Sequence, residues 1–122
     1  MHRLGEPCKN IENICKIFRL PNLKIEGIYT HLCADDTDLP KDRAFTLEQG
    51  QAFYNMISQL KERGFGYPKA HLLASYGLIN YSELGGDYAR IGIALYGVLS
   101  TEADRKCCSL SLRPVLYVKA RV

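Results

Sequence analysis

The 122 residues amount to 13.8 kDa and to one ordinary domain at most, with 16 Lys and Arg against 13 Asp and Glu and a formal net charge of +3. Hydrophobic residues make up 47% and charged residues 24%, which is the composition of a globular chain and excludes intrinsic disorder and collagen-like repeats. Charges of both signs are interspersed, so the sequence predicts no basic face and no nucleic acid partner.

The first predicted element is a short amphipathic helix. Asn10 can cap it, and Pro21 limits its continuation. Its apolar residues recur at helical spacing: Ile11, Ile14, Cys15 and Phe18. Residues 24–29 are rich in β-prone side chains and predict a strand that ends near His31. The acidic, turn-rich residues 34–40 then predict a surface loop.

A longer helix is predicted over residues 47–63, with a capping box that begins at Thr46 and a stop at Gly64. Its apolar face consists of Phe53, Met56, Ile57 and Leu60. Residues 70–74 predict a buried strand, and Ser75 can cap a short helix directly after it.

Two more strands are predicted in the second half of the chain. One covers residues 88–91, and the other follows Pro114, where residues 115–122 alternate between apolar and polar side chains. Helices and strands thus alternate, which is the order of an α/β fold with a parallel sheet covered by helices. So few strands make a poor closed unit, and we expect a part of something larger. No apolar stretch is long enough to span a membrane and residues 1–5 provide no signal peptide, so we expect a cytoplasmic chain without membrane contact.

The cysteines predict neither a disulfide framework nor a metal site. They are odd in number and form no Cys-x-x-Cys pair: Cys8, Cys15, Cys33, Cys107 and Cys108. His31 and Cys33 have metal-ligand spacing, but the sequence offers no further ligands beside them.

Ligands in α/β folds lie at the carboxyl ends of the strands, and four residues occupy those positions. They are His31, Ser75, Gly92 and Ile93. Ser75 begins a helix whose free N–H groups can face an anion, and Gly92 lets a second backbone segment approach closely, so together they predict a phosphate cradle. Each of these residues also has a plain structural interpretation: a satisfied histidine, an N-cap and a turn.

Arg90 is the least expected residue of the last strands, because it interrupts the apolar run over residues 89–95. An arginine directed into a packed interior needs an acceptor partner. The sequence leaves two alternatives open, a functional role or a structural ion pair with Asp87 or Glu83.

Residues 90–97, Arg-Ile-Gly-Ile-Ala-Leu-Tyr-Gly, resemble the Arg-x-Gly-Ile-x-x-Tyr-Gly motif of the pyridoxal-phosphate-dependent alanine racemases. Three further segments agree in the same order. Residues 1–5 are similar to the family's Met-x-Arg-x-Gly, residues 27–32 to its Gly-x-x-[Ser/Thr]-His, and residues 71–75 to its His-x-x-x-Ser. Some details resemble the branch of serine and alanine racemases attached to a membrane domain in glycopeptide-resistant bacteria, and the sequence leaves the branch open.

The resemblance implies a fold and a division of the chain. The family has a (β/α)8 barrel followed by a β domain. Residues 1–110 would belong to the later strands of the barrel, and residues 111–122 resemble the crossing into the C-terminal β domain. The implied cofactor is pyridoxal 5'-phosphate, and the implied substrate is alanine or serine.

The resemblance also implies a role for each matching residue. Ser75, Gly92 and Ile93 would bind the cofactor phosphate, Arg90 would face the pyridine nitrogen, and His31 would pack against the cofactor ring. Arg3 would position the catalytic tyrosine and the substrate carboxylate.

The family's cofactor-linking lysine and its catalytic tyrosine have no counterpart in the sequence. By the resemblance, the tyrosine comes from the partner subunit of a homodimer. We therefore expect the isolated chain to be inactive. Two other classes stay open: a related pyridoxal phosphate protein such as a decarboxylase or a cofactor carrier, and a free-standing module that binds a phosphorylated ligand without catalysis.

Overall fold

Helices alternate with short parallel strands along the part of the chain that the computed structural model describes, residues 4–37 and 39–121. The elements are α1 (Ile11–Phe18), β1 (Gly27–Tyr29), α2 (Pro40–Glu62), β2 (Lys69–His71), α3 (Ser75–Asn80) and α4 (Glu102–Cys107), with 3-10 helices at Ser82–Leu84 and Ile93–Tyr96. The predicted α/β order is therefore confirmed.

The sheet consists of β1 and β2, which run parallel because the long helix α2 returns the chain between them. Ile28 pairs with Ala70, and Tyr29 pairs with His71. Since side chains alternate along a strand, the first pair faces the hydrophobic core and the second pair lies on the opposite face. The position of His71 on that opposite face places it near the candidate site.

The core lies between α1, α2 and the helix-facing side of the sheet. Its buried residues are Ile14, Cys15, Leu32, Phe53, Met56, Ile57, Leu60, Ala70, Leu72 and Leu73. The four residues predicted as the apolar face of the long helix are all in this core. Hydrophobic burial on this scale is the main force that fixes helix against sheet.

The start of the long helix was predicted wrongly. α2 begins at Pro40, at the first helical position, where a missing N–H carries no penalty. Thr46 lies inside the helix and caps nothing; it is fully buried, and its hydroxyl donates to the Ala34 carbonyl oxygen at 3.1 Å. The predicted loop over residues 34–40 therefore overlaps the helix by one residue: Leu39 is the N-cap of α2, and Pro40 is its first residue.

The predicted strand over residues 88–91 is also wrong. The segment follows β2, with the Asp87 N–H donating to the Ala70 carbonyl at 2.7 Å and the Arg90 N–H donating to the Leu73 carbonyl at 2.9 Å. A third strand would need the Ala70 N–H as a donor to one of its backbone carbonyl groups. The Asp87 carboxylate accepts from this N–H at 2.8 Å, so the hydrogen bonds of a parallel strand pair do not form. The residues nevertheless run where a neighbouring strand would lie.

The last predicted strand, after Pro114, forms no regular element in the described residues up to 121. A strand needs a partner, and the hydrogen bond that holds this segment runs from the Val115 N–H to the Tyr96 carbonyl at 3.2 Å. Gly97 explains the contact: it has φ +73°, and a Cβ there would lie 1.8 Å from the Arg113 carbonyl oxygen. Helix α4 was not predicted, although Thr101 and Asp104 form a capping box at its start.

Candidate functional site

A cleft of about 490 Å³ opens at the carboxyl ends of β1 and β2. It brings together the predicted site residues His31, Ser75, Arg90, Gly92 and Ile93. These residues come from separate segments, and the parallel sheet aligns the ends of the segments at one edge. The remaining predicted site residue, Arg3, lies outside the described residues.

Ser75 forms one wall of the cleft. It is the first residue of α3, while Ala74 occupies the N-cap position, so the prediction of Ser75 as the cap is wrong. Its hydroxyl accepts instead from the Gly92 N–H at 2.9 Å and from the Ala94 N–H at 3.3 Å. The side chain is 5% exposed, so these bonds are shielded from water and fix the second backbone segment against α3.

The backbone beside Ser75 carries N–H groups at the predicted phosphate cradle. Ile93 is the first residue of its 3-10 helix, so its N–H has no acceptor within that helix. The Gly92 N–H points at the same hydroxyl oxygen as the Ala94 N–H. A Cβ at Gly92 would lie 3.7 Å from that oxygen, which is an ordinary contact, so the close approach does not require glycine. The cradle is defined by the converging N–H groups.

Arg90 reaches back from this segment to the ends of both strands. Its Nη2 donates to the Thr30 carbonyl at 2.9 Å, and its Nη1 donates to the His71 carbonyl at 3.1 Å. Nη1 also lies 2.8 Å from His71 Nδ1, and Nη2 lies 3.3 Å from His31 Nδ1. Backbone carbonyl groups and imidazole nitrogens therefore hold the guanidinium, and a guanidinium stays protonated in proteins.

The alternative of a structural ion pair for Arg90 is wrong. Asp87 pairs with Lys69 at 2.9 Å, and Glu83 pairs with Arg43 at 3.4 Å. Among the described residues, no carboxylate forms a salt bridge with Arg90. Burial lowers the pKa of Arg90, while Asp35, which lines the same cleft, acts in the opposite direction. A guanidinium stays protonated in proteins, so the cleft holds a cation without a salt-bridge partner among the described residues.

His71 adjoins the site through Arg90, and the sequence analysis matched it to the His-x-x-x-Ser segment without assigning it a role. Burial lowers the pKa of His71, and the positive charge of Arg90 lowers it further. A neutral imidazole accepts at Nδ1, which is the atom that faces Arg90, and then carries its proton on Nε2. The available signals were this motif match and a polar residue within the apolar run of residues 70–74.

Asp35 is the second residue that was missed. It lines the cleft and is 9% exposed, and its Oδ2 has no hydrogen-bond partner within the described chain. Burial raises the pKa of Asp35, although a backbone hydrogen bond of its own and the nearby His31 act in the opposite direction. The predicted acidic loop therefore contains one carboxyl group that is not solvated.

Other kinds of site find no support in the described part of the chain. No group of three or more His, Cys, Asp or Glu side chains is arranged to hold a metal ion. Cys8, Cys15, Cys33 and Cys108 are free thiols. None of the described helices is long and apolar enough to cross a membrane.

Residues 1–100 match the protein family "Alanine racemase, N-terminal domain". The chain therefore belongs to the alanine racemase family, whose members depend on pyridoxal phosphate. It is 41% identical over 120 residues to an "Amino-acid racemase" of Enterococcus faecalis, and 39% identical over 122 residues to the "Serine/alanine racemase" of Enterococcus gallinarum. The alignments cover 98% and 100% of this chain but 17% of each relative, so the chain spans about a sixth of their length.

The fold agrees with a solved member of the family. The alanine racemase of Bacillus anthracis with bound L-Ala-P superposes with a TM-score of 0.77 at 27% identity, over 93% of this chain and 29% of that one. Alanine racemases have an N-terminal (β/α)8 barrel, and this chain is part of such a barrel. The recognition made from the four motifs is confirmed.

Proposed function

We propose that this chain supplies the cofactor-anchoring side of a pyridoxal-phosphate-dependent racemase that interconverts the L and D forms of alanine or serine. The proposal rests on one observation: Ser75, Gly92, Ile93 and Arg90 line the same cleft. The cleft volume of about 490 Å³ is within the range of small-molecule sites.

The phosphate end of the cofactor would be held by α3 and the segment after Arg90. The Gly92 and Ile93 N–H groups and the Ser75 hydroxyl can all donate to phosphate oxygens, because the hydroxyl hydrogen is free to rotate. Backbone N–H groups bind phosphate without adding net charge. The residues present therefore fit the phosphate end of the cofactor.

Arg90 would meet the ring nitrogen of the cofactor. When bound, pyridoxal phosphate withdraws electrons from the substrate Cα and so makes its proton acidic. Arg90 can only donate a hydrogen bond, because its guanidinium stays protonated, and the ring nitrogen therefore stays unprotonated. Electron withdrawal is then weaker, which favours return of a proton to Cα over side reactions.

The remaining assignments complete the proposal. His31 would pack against the cofactor ring, and Arg3 would position the catalytic tyrosine and the substrate carboxylate. The lysine that links the cofactor and the tyrosine are not assigned to residues of this chain. We propose that the working enzyme is a cytoplasmic homodimer, that it serves cell-wall peptidoglycan precursors, and that residues 1–110 and 111–122 belong to its barrel and its β domain.

The test is to express the complete coding sequence that contains this chain and to measure pyridoxal phosphate binding and racemisation of alanine and serine. Arg90→Ala should lower racemisation at least about a hundredfold, because the cation at the ring nitrogen is lost, while binding weakens about tenfold or less. Arg43→Ala, a change at an exposed arginine, is the matched control. Unchanged racemisation in Arg90→Ala would remove the proposed role, and binding of other phosphorylated compounds without racemisation would favour the non-catalytic module.

A further inference from the structure

The ring of Tyr29 lies against the two groups that define the cation end of the cleft. It stacks on the His71 imidazole with ring centroids 5.2 Å apart and an angle of 16° between the planes. The Arg90 Cζ lies 5.0 Å from the centroid of the same ring. One aromatic side chain therefore contacts both members of the hydrogen-bonded pair formed by Arg90 and His71.

The strand register produces this arrangement. Tyr29 and His71 are direct partners across β1 and β2, so their side chains leave the sheet side by side on the face opposite the core. Arg90 then reaches over that face to the carbonyl groups at the strand ends. Its hydrogen bonds lie in the plane of the guanidinium and fix its edges, whereas the Tyr29 ring restrains the group from its face.

We infer that Tyr29 is a positioning residue that holds the Arg90 guanidinium and the His71 ring in one arrangement. This inference rests on the proposed function, because it concerns the hydrogen bond that Arg90 would give to the cofactor. Tyr29 acts through Arg90 and is not itself assigned a contact with the cofactor.

A purely structural role fits the position of Tyr29 less well. The residue is 61% exposed and does not belong to the buried core. Within this chain its removal loses little buried surface, and thermal unfolding of Tyr29→Leu beside the unmodified protein checks that the variant folds. Removing the Tyr29 ring changes the aromatic surface that faces the Arg90 guanidinium and the His71 imidazole.

The experiment compares Tyr29→Leu with Tyr29→Phe in the complete protein that contains this chain, with Tyr67→Leu as the control at another exposed tyrosine. The first readout is the ¹⁵N spectrum of the His71 ring in cofactor-free protein, assigned with a His71→Gln variant. The second is the absorption maximum of bound pyridoxal phosphate together with its dissociation constant.

Tyr29→Leu should move the His71 signals away from those of a ring protonated on Nε2, shift the absorption maximum, and weaken pyridoxal phosphate binding about threefold to fivefold. Tyr29→Phe keeps the ring and should behave as the unmodified protein. In an Arg90→Ala background, the effect of Tyr29→Leu on binding should disappear, because the two residues act together.

Two results would overturn the inference: His71 and cofactor signals in Tyr29→Leu that match the unmodified protein, or an effect that persists undiminished in the Arg90→Ala background. Failure of the unmodified protein to bind pyridoxal phosphate would instead overturn the proposed function. The His71 spectrum would still decide the role of Tyr29 in that case.

Discussion

At the scale of single residues, Ser75 combines a scaffold contact with the phosphate contact that we propose. It accepts from the Gly92 and Ala94 N–H groups, and it is buried beneath the cleft. Its removal therefore subtracts a donor to the ligand and a link between two segments.

Ser75→Ala should weaken pyridoxal phosphate binding about tenfold, since a hydrogen bond to a charged group is lost. Titration followed by absorbance would measure the change. Ser58→Ala, at an exposed position of α2, is the matched control and should bind as the unmodified protein does. Equal affinity in the Ser75 and Ser58 variants would exclude the Ser75 side chain from the phosphate site.

Asp35 makes a prediction about stability and pH. Because burial raises the pKa of Asp35, the folded chain binds its proton more tightly than the unfolded chain. The free energy of unfolding must then fall as the pH rises from the ordinary aspartate pKa to the raised pKa of Asp35. At neutral pH this loss is complete. Asp35→Asn removes the charge and should stabilise the protein at pH 7 by about 1 kcal/mol, with no gain below about pH 4.

Urea unfolding at both pH values would measure this effect, with Asp36→Asn as the exposed neighbour for comparison. A loss of stability in Asp35→Asn at neutral pH would mean that the carboxylate has a favourable partner, contrary to the position of its Oδ2.

At the scale of elements, Gly97 governs where the last segment of the chain runs. Its φ of +73° and the 1.8 Å approach of the Arg113 carbonyl to a Cβ at this position exclude any side chain without movement. The Tyr96 carbonyl beside it accepts the Val115 N–H. The Tyr-Gly end of the motif is therefore a site of backbone contact.

Gly97→Ala should displace residues 113–115 and lower the hydrogen-exchange protection of the Val115 amide at least about tenfold, because a left-handed conformation alone costs about 1 kcal/mol or more for alanine. Gly66→Ala, where a Cβ meets nothing within 4 Å, should leave this amide unchanged. Undiminished protection of Val115 in Gly97→Ala would show that the segment is held by other contacts.

At the scale of the whole molecule, the surface is too large for a self-contained domain. The accessible area is 8910 Å², whereas a compact monomer of 13.8 kDa exposes about 6,600 Å². The exposed residues include large apolar side chains, among them Val115, Leu116, Tyr117 and Val118. Surface of this kind is expected to pack against further protein.

The chain of 122 residues on its own should therefore unfold over a broad range, with a urea m-value below about 1 kcal/mol/M, and should bind a dye that detects apolar surface. The complete coding sequence provides the comparison and should unfold more sharply. A steep two-state transition of the short chain, without dye binding, would favour the free-standing module.

The sequence predicted the parts of this fold that depend on local periodicity. The core face of α2 follows from apolar spacing, and the motif residues from His31 to Ile93 do meet in one cleft. Both strands near the site are shorter than predicted: β1 covers Gly27–Tyr29 of residues 24–29, and β2 covers Lys69–His71 and ends before residue 74. The features that the sequence did not predict depend on contacts between residues far apart in the chain. Asp87 caps the Ala70 N–H and so prevents a third strand, and Thr46 faces Ala34 and not the start of a helix. The pairing of Arg90 with His71 depends on the strand register in the same way.

The hydrogen bonds of Ser75 bear finally on the speed of ligand binding. The Gly92 and Ala94 N–H groups already converge on the Ser75 oxygen, so the backbone around Ile93 is ordered before a phosphate arrives. Association then needs rotation of the Ser75 hydroxyl hydrogen and no slow loop closure, because the loop is ordered during folding. Affinity differences among phosphorylated ligands should consequently appear in their dissociation rates, with association rates nearly constant.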